Sequence, residues 1–142
     1  MPGRLITSLI YVSTARAGLS LDDFLAILTV SQRHNQRLGI TGLLVFNGIN
    51  FMQCLEGDKA ATNDRLHHIG LDDRHSGLTV VSQLQTANQQ FSDWPMAGRY
   101  LPATHGVGQT DLLELLSADA VSDATRTLFQ SFRSLGACLP GQ

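Results

Sequence analysis

Three polar residues, Tyr11, Asn35 and Gln53, occupy positions where the surrounding pattern predicts a buried side chain. Burying an amide without hydrogen-bond partners costs roughly 1 to 3 kcal/mol, so both amides require a partner. Backbone groups satisfy most buried polar side chains, and for each residue alone that explanation stays open. Taken together, two amides can match the alternating C=O and N–H groups of a heteroaromatic ring, and a phenol can give up an electron and a proton. The combination favours a cofactor site.

The elements that must position these residues begin with a strand and a helix. Residues 5–13 are rich in Leu, Ile, Val and Thr, which predicts a buried strand that carries the tyrosine. A helix is predicted to follow, with Ser20 as its N-terminal cap and Gly39 at its end. Because residues seven apart nearly eclipse on a helix, Asn35 continues the inward stripe on which Leu28 lies.

The glutamine lies on the second strand of a predicted hairpin. Residues 43–46 and 49–56 are strand-like, and Asn47-Gly48 between them is typical of a two-residue hairpin turn. Side chains alternate along a strand, so Gln53 faces the same way as Phe51. An amide therefore lies within an apolar row.

One more helix and two more strands complete the predicted order. A helix is expected over residues 59–71, and strands over residues 78–84 and 94–101, with Pro95 near the start of the last one. The order βαββαβ plus one strand is the split βαβ arrangement of ferredoxin-like folds. The predicted fold class is therefore α+β, a mixed five-stranded sheet (βαββαββ) with two helices on one face.

The C-terminal part of the chain predicts further helices. A short helix is expected over residues 111–116, and a longer one that ends at Gly136 carries an apolar stripe formed by Val121, Ala124, Leu128, Phe132 and Leu135. A sheet with helices on one face needs its other face covered, and this stripe suits that role. We therefore divide the chain into a domain over residues 1–104 and a helical extension over residues 105–142 that packs on the sheet.

Composition argues against several classes of partner. Ten Lys and Arg against twelve Asp and Glu give a net charge of −2, so the chain lacks the positive field that attracts nucleic acid. No apolar run approaches the roughly 18 residues of a membrane span, and we expect a cytoplasmic protein without membrane contact. Cys54 and Cys138 lie far apart in no metal-ligand spacing, so neither a metal site nor a disulfide is expected.

Four short segments, in this order and with this spacing, resemble the successive motifs of the BLUF domain, a family of blue-light sensors. The segments are Leu9-Ile10-Tyr11-Val12-Ser13, Asn35-Gln36-Arg37-Leu38-Gly39-Ile40-Thr41-Gly42-Leu43-Leu44, Gln53-Cys54-Leu55-Glu56-Gly57 and Asp72-Asp73-Arg74-His75. The resemblance covers roughly residues 4–101.

The resemblance implies a noncovalently bound flavin, usually FAD with FMN or riboflavin as alternatives, whose ring inserts between the two helices. Tyr11 corresponds to the photoactive tyrosine of the family and Gln53 to its switching glutamine. In the family, blue light drives electron and proton transfer from the tyrosine to the flavin, and the glutamine amide then rearranges. The implied function is that of a photoreceptor and not of an enzyme.

The resemblance also implies further contacts. Asn35 corresponds to the residue that bonds the pyrimidine edge of the ring. His34 replaces an asparagine of many relatives and is a candidate ring contact, with a solvated histidine at the helix end as the alternative. Ser31 is a candidate contact, although helix serines commonly bond their own backbone. The positions around the second helix that flank the flavin are His68, Asp72, Arg74 and His75. The last two also suit a structural role at the helix C-terminus. Trp94 and Met96 correspond to a pair that exchanges environments near the glutamine, with a role in the core as the alternative.

Two other classes of function stay open from the residues alone. One is an interaction module whose cleft is filled by side chains, and the other is a flavin-dependent redox enzyme or a small hydrolase on the same fold. No Ser-His-Asp or Cys-His spacing supports a hydrolase. About forty residues follow the predicted fifth strand, too few for the output domains of longer family members. We therefore expect output through a separate effector protein, and a homodimer through a sheet edge or the C-terminal helices stays open.

Overall fold

The computed structural model describes residues 5–92, 94–101 and 115–133 of the chain. In these residues the elements are β1 (Ile6–Ala15), α1 (Leu21–Leu38), β2 (Thr41–Phe46), β3 (Asn50–Gly57), α2 (Lys59–Gly70), β4 (His75–Thr86), β5 (Ala97–Tyr100) and α3 (Asp123–Arg133). This order confirms the predicted split βαβ arrangement with an additional strand. None of the helices in the described ranges has the length and hydropathy that a membrane span requires.

The five strands form one mixed sheet in the order β4-β1-β3-β2-β5. Neighbouring strands are antiparallel, except that β5 runs parallel to β2. The central strand β3 and its neighbour β1 are each paired on both sides, which accounts for their nearly continuous burial. In the register between them, Tyr11 lies directly opposite Gln53. The two residues that the sequence singled out are therefore cross-strand neighbours.

Local chemistry explains where α1 and the hairpin begin and end. Ser20 and Asp23 form a capping box at the start of α1, and Gly39 ends the helix in a left-handed conformation with φ 68°. In the hairpin, the Asn47 side chain accepts hydrogen bonds from the backbone N–H groups of Ile49 and Asn50. The turn is thus centred one residue later than predicted, on Gly48 and Ile49, because the backbone of Asn47 still pairs with Asn50.

Apolar layers form on both faces of the sheet. Helices α1 and α2 cover one face, with a core formed by Leu19, Phe24, Ile40, Leu44, Phe46, Phe51, Leu55 and Met96. The other face packs against α3 and the residues before it, with a core that includes Ile10, Leu43, Val45, Met52, Phe91, Leu115, Leu116, Val121, Phe129 and Phe132. The predicted cover on the second face is confirmed for residues 115–133. Of the helix predicted over residues 111–116, Leu115 and Leu116 are helical and residues 111–114 lie outside the described residues, as does the end of the stripe at Leu135 and Gly136.

The fifth strand is shorter than predicted. It begins at Ala97, so Trp94 and Met96 precede the strand. Side chains of α1 bind the carbonyl groups of this preceding segment: Asn35 Nδ2 donates to Pro95 O (3.1 Å) and Gln32 Nε2 donates to Met96 O (2.9 Å). Since Pro95 also has no N–H to donate, regular pairing with β2 starts only after it.

The layer under α3 yields a stability prediction. Phe129 is fully buried between α3 and the sheet, and we expect Phe129→Ala to lower the free energy of unfolding by about 3 to 5 kcal/mol, because it removes a large apolar side chain and leaves a cavity. Urea denaturation measures the change. The neighbouring exposed Gln130 serves as a control, since Gln130→Ala should change stability by less than about 0.5 kcal/mol. Equal effects of the two substitutions would contradict the packing of α3 on the sheet.

Candidate functional site

A cavity of about 210 Å³ opens between α1 and α2 above the central strands. Its walls and floor are formed by Tyr11, Ile27, Val30, Ser31, His34, Leu44, Phe51, Gln53, Arg65, His68, Ile69, Asp72, Arg74 and His75. Apolar side chains thus alternate with a few donors and acceptors, which is the usual composition of a cofactor site. Eight of the eleven residues predicted for the site line this cavity; Asn35, Trp94 and Met96 do not.

Tyr11 and Gln53 form a hydrogen-bonded pair at the floor of the cavity. The hydroxyl group of Tyr11 donates to Gln53 Oε1 at 2.6 Å, at the short end of the range for such bonds. The two residues are only 3% and 2% exposed. Burial raises the pKa of the Tyr11 phenol well above its ordinary value, and the nearby Asp72 carboxylate raises it further. Tyr11 is therefore a neutral donor over the whole physiological pH range.

The other end of the Gln53 amide contacts Met96. Gln53 Nε2 donates to Met96 Sδ at 3.4 Å, so the oxygen of the amide faces the phenol and its nitrogen faces the thioether. Met96 is 1% exposed, whereas Trp94 is 39% exposed. The structure thus brings Met96 to the glutamine and leaves Trp94 near the surface. On a strand these two residues would share a face, but the segment that carries them is not a strand.

Asn35 is buried on α1, next in sequence to His34 of the cavity lining, and has one group unpaired. Its Nδ2 donates to Pro95 O at 3.1 Å, while its Oδ1 is buried without a hydrogen-bond partner. A buried carbonyl oxygen in this state is costly unless a donor reaches it. A ring N–H is a donor of the kind that is missing, so this atom fits a flavin. One turn earlier, Ser31 lines the cavity from the same helix.

The end of α2 is held by His75 and by a carboxylate–guanidinium pair. His75 Nδ1 lies 2.7 Å from Ser13 Oγ, and His75 Nε2 lies 2.6 Å from Ile69 O. Since a carbonyl only accepts, Nε2 carries the proton and donates to it. Arg74 Nε donates to Asp72 Oδ1 at 2.9 Å, and this hydrogen bond lowers the pKa of the Asp72 carboxyl group. Asp72 is therefore an anionic acceptor in the cavity wall.

The two remaining histidines lie on facing helices. His68 Nδ1 is 2.8 Å from Asp64 O on its own helix and is largely exposed. Partial desolvation and then the Arg65 guanidinium lower the pKa of His34, so its imidazole is neutral at pH 7. Both side chains line the cavity, and the structure brings them together with Asp72 across the gap between α1 and α2.

Sequence reasoning missed Arg65 and the apolar lining of the cavity. Arg65 precedes His68 by three residues, which places both on one stripe of α2, and it precedes Asp72, just after the helix, by seven. Ile27 precedes Ser31 by four residues on α1, in the same relation. Helical spacing from the residues already selected would therefore have found both. In the part of the chain that the structure describes, no group of three His, Cys, Asp or Glu side chains could hold a metal ion.

Comparison with known proteins identifies the class to which this fold and site belong. Residues 6–97 match the family BLUF, described as sensors of blue-light using FAD. The chain belongs to the BLUF family: it is a blue-light sensor that binds a flavin. The predicted sensor family is thereby confirmed.

Individual relatives agree with this assignment. The chain is 31% identical over 136 residues to the photoactivated adenylate cyclase subunit beta of Euglena longa, covering 95% of this chain and 14% of that protein. It is also 32% identical over 77 residues to the blue light- and temperature-regulated antirepressor BluF of Escherichia coli (strain K12), covering 54% of this chain and 19% of the antirepressor. The chain thus spans only a small part of the length of these relatives.

Solved structures share the fold. Klebsiella pneumoniae BlrP1 superposes with a TM-score of 0.80 at 31% identity, covering 96% of this chain and 35% of that one. The dark-state structure of BlrB, a BLUF protein, gives a TM-score of 0.69 at 31% identity, covering 89% of this chain and 96% of BlrB. The predicted ferredoxin-like α+β fold is confirmed.

Proposed function

We propose that this chain senses blue light through Tyr11 and Gln53, with FAD as the flavin that it holds in the cell. The observation that carries the proposal is the buried 2.6 Å hydrogen bond from Tyr11 to Gln53 Oε1 at the floor of the cavity. A phenol and an amide joined in this way form a relay in which the phenol can lose a proton and the amide can reverse its donor and acceptor ends.

When bound, the flavin supplies absorption of blue light and an acceptor for one electron and one proton. Tyr11 would give the electron and its hydroxyl proton, and after the amide has turned it would take both back, so that the ring ends oxidised. With that proton gone, Gln53 Oε1 loses its donor, and the amide gains by turning its Nε2 toward the phenol oxygen. Met96 Sδ, which accepts from Nε2 in the present arrangement, loses that contact when the amide turns. The amide thereby converts a proton movement into a change of packing beside β5.

Residues on both helices would hold the flavin. Asn35 would accept from the ring through its unpaired Oδ1, and Ser31 and His34 would contact the ring from the same helix. Toward the end of α2, the groups available to the flavin side chain are His68, Asp72, Arg74 and His75. Tight burial of Tyr11 and Gln53 would keep water from the relay.

The purified protein tests the proposal directly. We expect it to be yellow and to show a small, fully reversible red shift of its flavin bands under blue light, since the ring ends oxidised while its hydrogen bonds have changed. Absorption spectra before and after illumination measure the shift, and release of the flavin by denaturation followed by mass determination distinguishes FAD from FMN and riboflavin. A preparation that stays colourless after incubation with each of these flavins would contradict the proposal.

Asn35→Ala should weaken flavin binding. The substitution removes the buried Oδ1, so we expect a loss of about 1 to 3 kcal/mol, or about 5- to 150-fold in Kd, measured by flavin titration. Gln32→Ala is the matched control, because Gln32 also donates to a carbonyl of the segment before β5, that of Met96, but has no unpaired buried oxygen. Equal affinities of the two variants would show that Asn35 has only a structural role.

The proposal extends to output and assembly. We propose a flavin-binding photosensor domain over residues 1–104 and a C-terminal extension over residues 105–142 that delivers the response to a separate effector protein. The relatives named as a cyclase subunit and an antirepressor support an effector as the target. A homodimer and a cytoplasmic location stay predictions, which light scattering of the purified protein and cell fractionation test.

A further inference from the structure

Glu56 is a buried carboxylate that the proposed light response does not use. It lies near the end of β3, three residues after Gln53, and is fully buried. Its Oε1 accepts from the backbone N–H groups of Gln90 (2.7 Å) and Phe91 (3.0 Å), and its Oε2 accepts from Gln90 Nε2 (3.0 Å). Burial raises the pKa of the Glu56 carboxyl group, and these hydrogen bonds oppose the rise by favouring its charged form. These three donors come from one short segment between β4 and β5, and the Ser8 side chain of β1 also hydrogen-bonds to the carboxyl group.

The amide of Gln90 connects this carboxylate to α3. While its Nε2 donates to Glu56, its Oε1 accepts from the backbone N–H of Ser122 at 2.7 Å. Ser122 immediately precedes α3, and its Oγ accepts from Thr125 N in the first turn (3.1 Å). Since a carboxylate only accepts and a backbone N–H only donates, the Gln90 amide has a single orientation that satisfies both. We call Glu56, Gln90 and Ser122 the Gln90 bridge.

The segment that carries Gln90 also reaches the switch glutamine. Phe91, next to Gln90, is buried in the apolar layer that contains Phe129 of α3, and its carbonyl accepts from Trp94 N at 3.1 Å. Two residues further along, Met96 Sδ accepts from Gln53 Nε2 at 3.4 Å. The same stretch of chain thus contacts the switch amide at one end and α3 at the other.

We infer that Glu56 and Gln90 are positioning residues that fix the start of α3 on the sheet and transmit the rearrangement of Gln53 to it. This inference rests on the proposed function, because it takes Gln53 as the group that moves. When the amide turns away from Met96, the segment before β5 loses a restraint, and the Gln90 bridge carries its displacement to the N–H of Ser122. Helix α3 responds because its first turn is bonded to the segment and not only packed against it.

Hydrogen exchange of the full flavin-loaded chain, measured by mass spectrometry in the dark and under blue light, tests the inference. In the unaltered protein we expect exchange of the α3 amides to differ between light and dark. Gln90→Met keeps the length of the side chain and removes its bonds to Glu56 and Ser122, together with a longer one to Ser8 Oγ (3.3 Å). We expect it to raise exchange at the start of α3 in the dark by about fivefold, to abolish the light-dependent difference there, and to leave the red shift intact.

Gln89→Met is the matched control. The Gln89 amide also donates to several acceptors, at Gly39 O, Thr41 Oγ1 and Glu56 O, but these contacts do not include α3. We expect this variant to keep the light-dependent difference in α3. A general loss of stability would lower the melting temperature of either variant. It would not abolish the light-dependent exchange of α3 in Gln90→Met while leaving it in Gln89→Met.

A charge exchange provides a second test that does not depend on loss of packing. Glu56→Gln alone places an amide where three N–H groups donate, so we expect it to weaken the bridge as Gln90→Met does. In the double variant Glu56→Gln with Gln90→Glu, the amide at 56 can donate to the carboxylate at 90, which can still accept from Ser122 N. We expect this pair to recover the light-dependent exchange of α3.

The possible outcomes separate the inference from the proposed function. Two outcomes with a normal red shift would overturn the inference and leave the proposed function intact. One is an unchanged light-dependent exchange of α3 in Gln90→Met, and the other is no light-dependent exchange of α3 in the unaltered protein. A double variant no better than Glu56→Gln would also overturn it. Absence of a red shift in the unaltered protein would instead refute the proposed function on which the inference rests.

Discussion

Tyr11→Phe is expected to bind flavin normally and to lose the red-shifted state completely. The substitution keeps the ring and its packing in the central strands and removes only the hydroxyl group that donates to Gln53. Without that group the relay has no proton to give. Light-minus-dark absorption spectra measure the loss, and flavin occupancy measured on the same sample shows that the site is intact.

The other tyrosine of the chain provides the control. Tyr100 lies on β5, stacks on Phe46 and is partly exposed, so Tyr100→Phe removes a phenol of the same chemistry outside the cavity. We expect it to leave the red shift unchanged. If Tyr11→Phe still formed the normal red-shifted state with full flavin occupancy, the assignment of Tyr11 as the donor would be wrong.

Gln53→Leu is likewise expected to abolish the light response while flavin stays bound. Leucine is close in size to glutamine and suits the apolar neighbours of Gln53, but it has no donor and acceptor to exchange. The light-minus-dark spectrum should be flat. Gln83→Leu, on the exposed part of β4, removes an amide from a strand without touching the cavity and should retain the response. A normal red shift in Gln53→Leu would exclude the amide as the switch.

Tyr11→Phe and Gln53→Leu are also expected to lower the stability of the flavin-free protein. Each single variant leaves one buried partner unsatisfied, Gln53 Oε1 in one case and the Tyr11 hydroxyl in the other, at a cost of about 1 to 3 kcal/mol. The double variant removes both groups, so we expect the two costs not to add. Urea denaturation of the three variants measures this coupling, and additive losses would show that the 2.6 Å bond contributes nothing to stability.

Much of the site could be predicted because its rules are local. Ser20 begins α1 and Gly39 ends it, and each forms its capping hydrogen bonds with a residue three or four positions away. Alternation along β3 was enough to place Gln53 in an apolar row, and helical spacing was enough to turn Asn35 inward. These features depend on short-range sterics and periodicity, which the order of residues determines directly.

Other features depended on segments that meet only in the folded chain. Trp94 and Met96 were predicted on one strand, but bonds from α1 to the carbonyls of Pro95 and Met96 hold them before β5, and only Met96 reaches the glutamine. The orientation of the Gln53 amide is set by partners 42 and 43 residues away in the chain. No local rule contains such partners.

The Gln90 bridge shows most clearly which features the sequence determined and which depended on tertiary structure. By itself, the sequence determined that residues 53–56 form a strand, that an apolar stripe follows later in the chain, and that the family motifs are present. It did not indicate that Glu56 would be buried, since an isolated carboxylate in a strand is ordinarily at the surface. Burial became tolerable only because tertiary structure brought Gln90 and Phe91, 34 and 35 residues away, to donate to it. Only tertiary structure decided these contacts, because the donors that offset the cost of burying Glu56 are distant in sequence and meet it only in the folded chain.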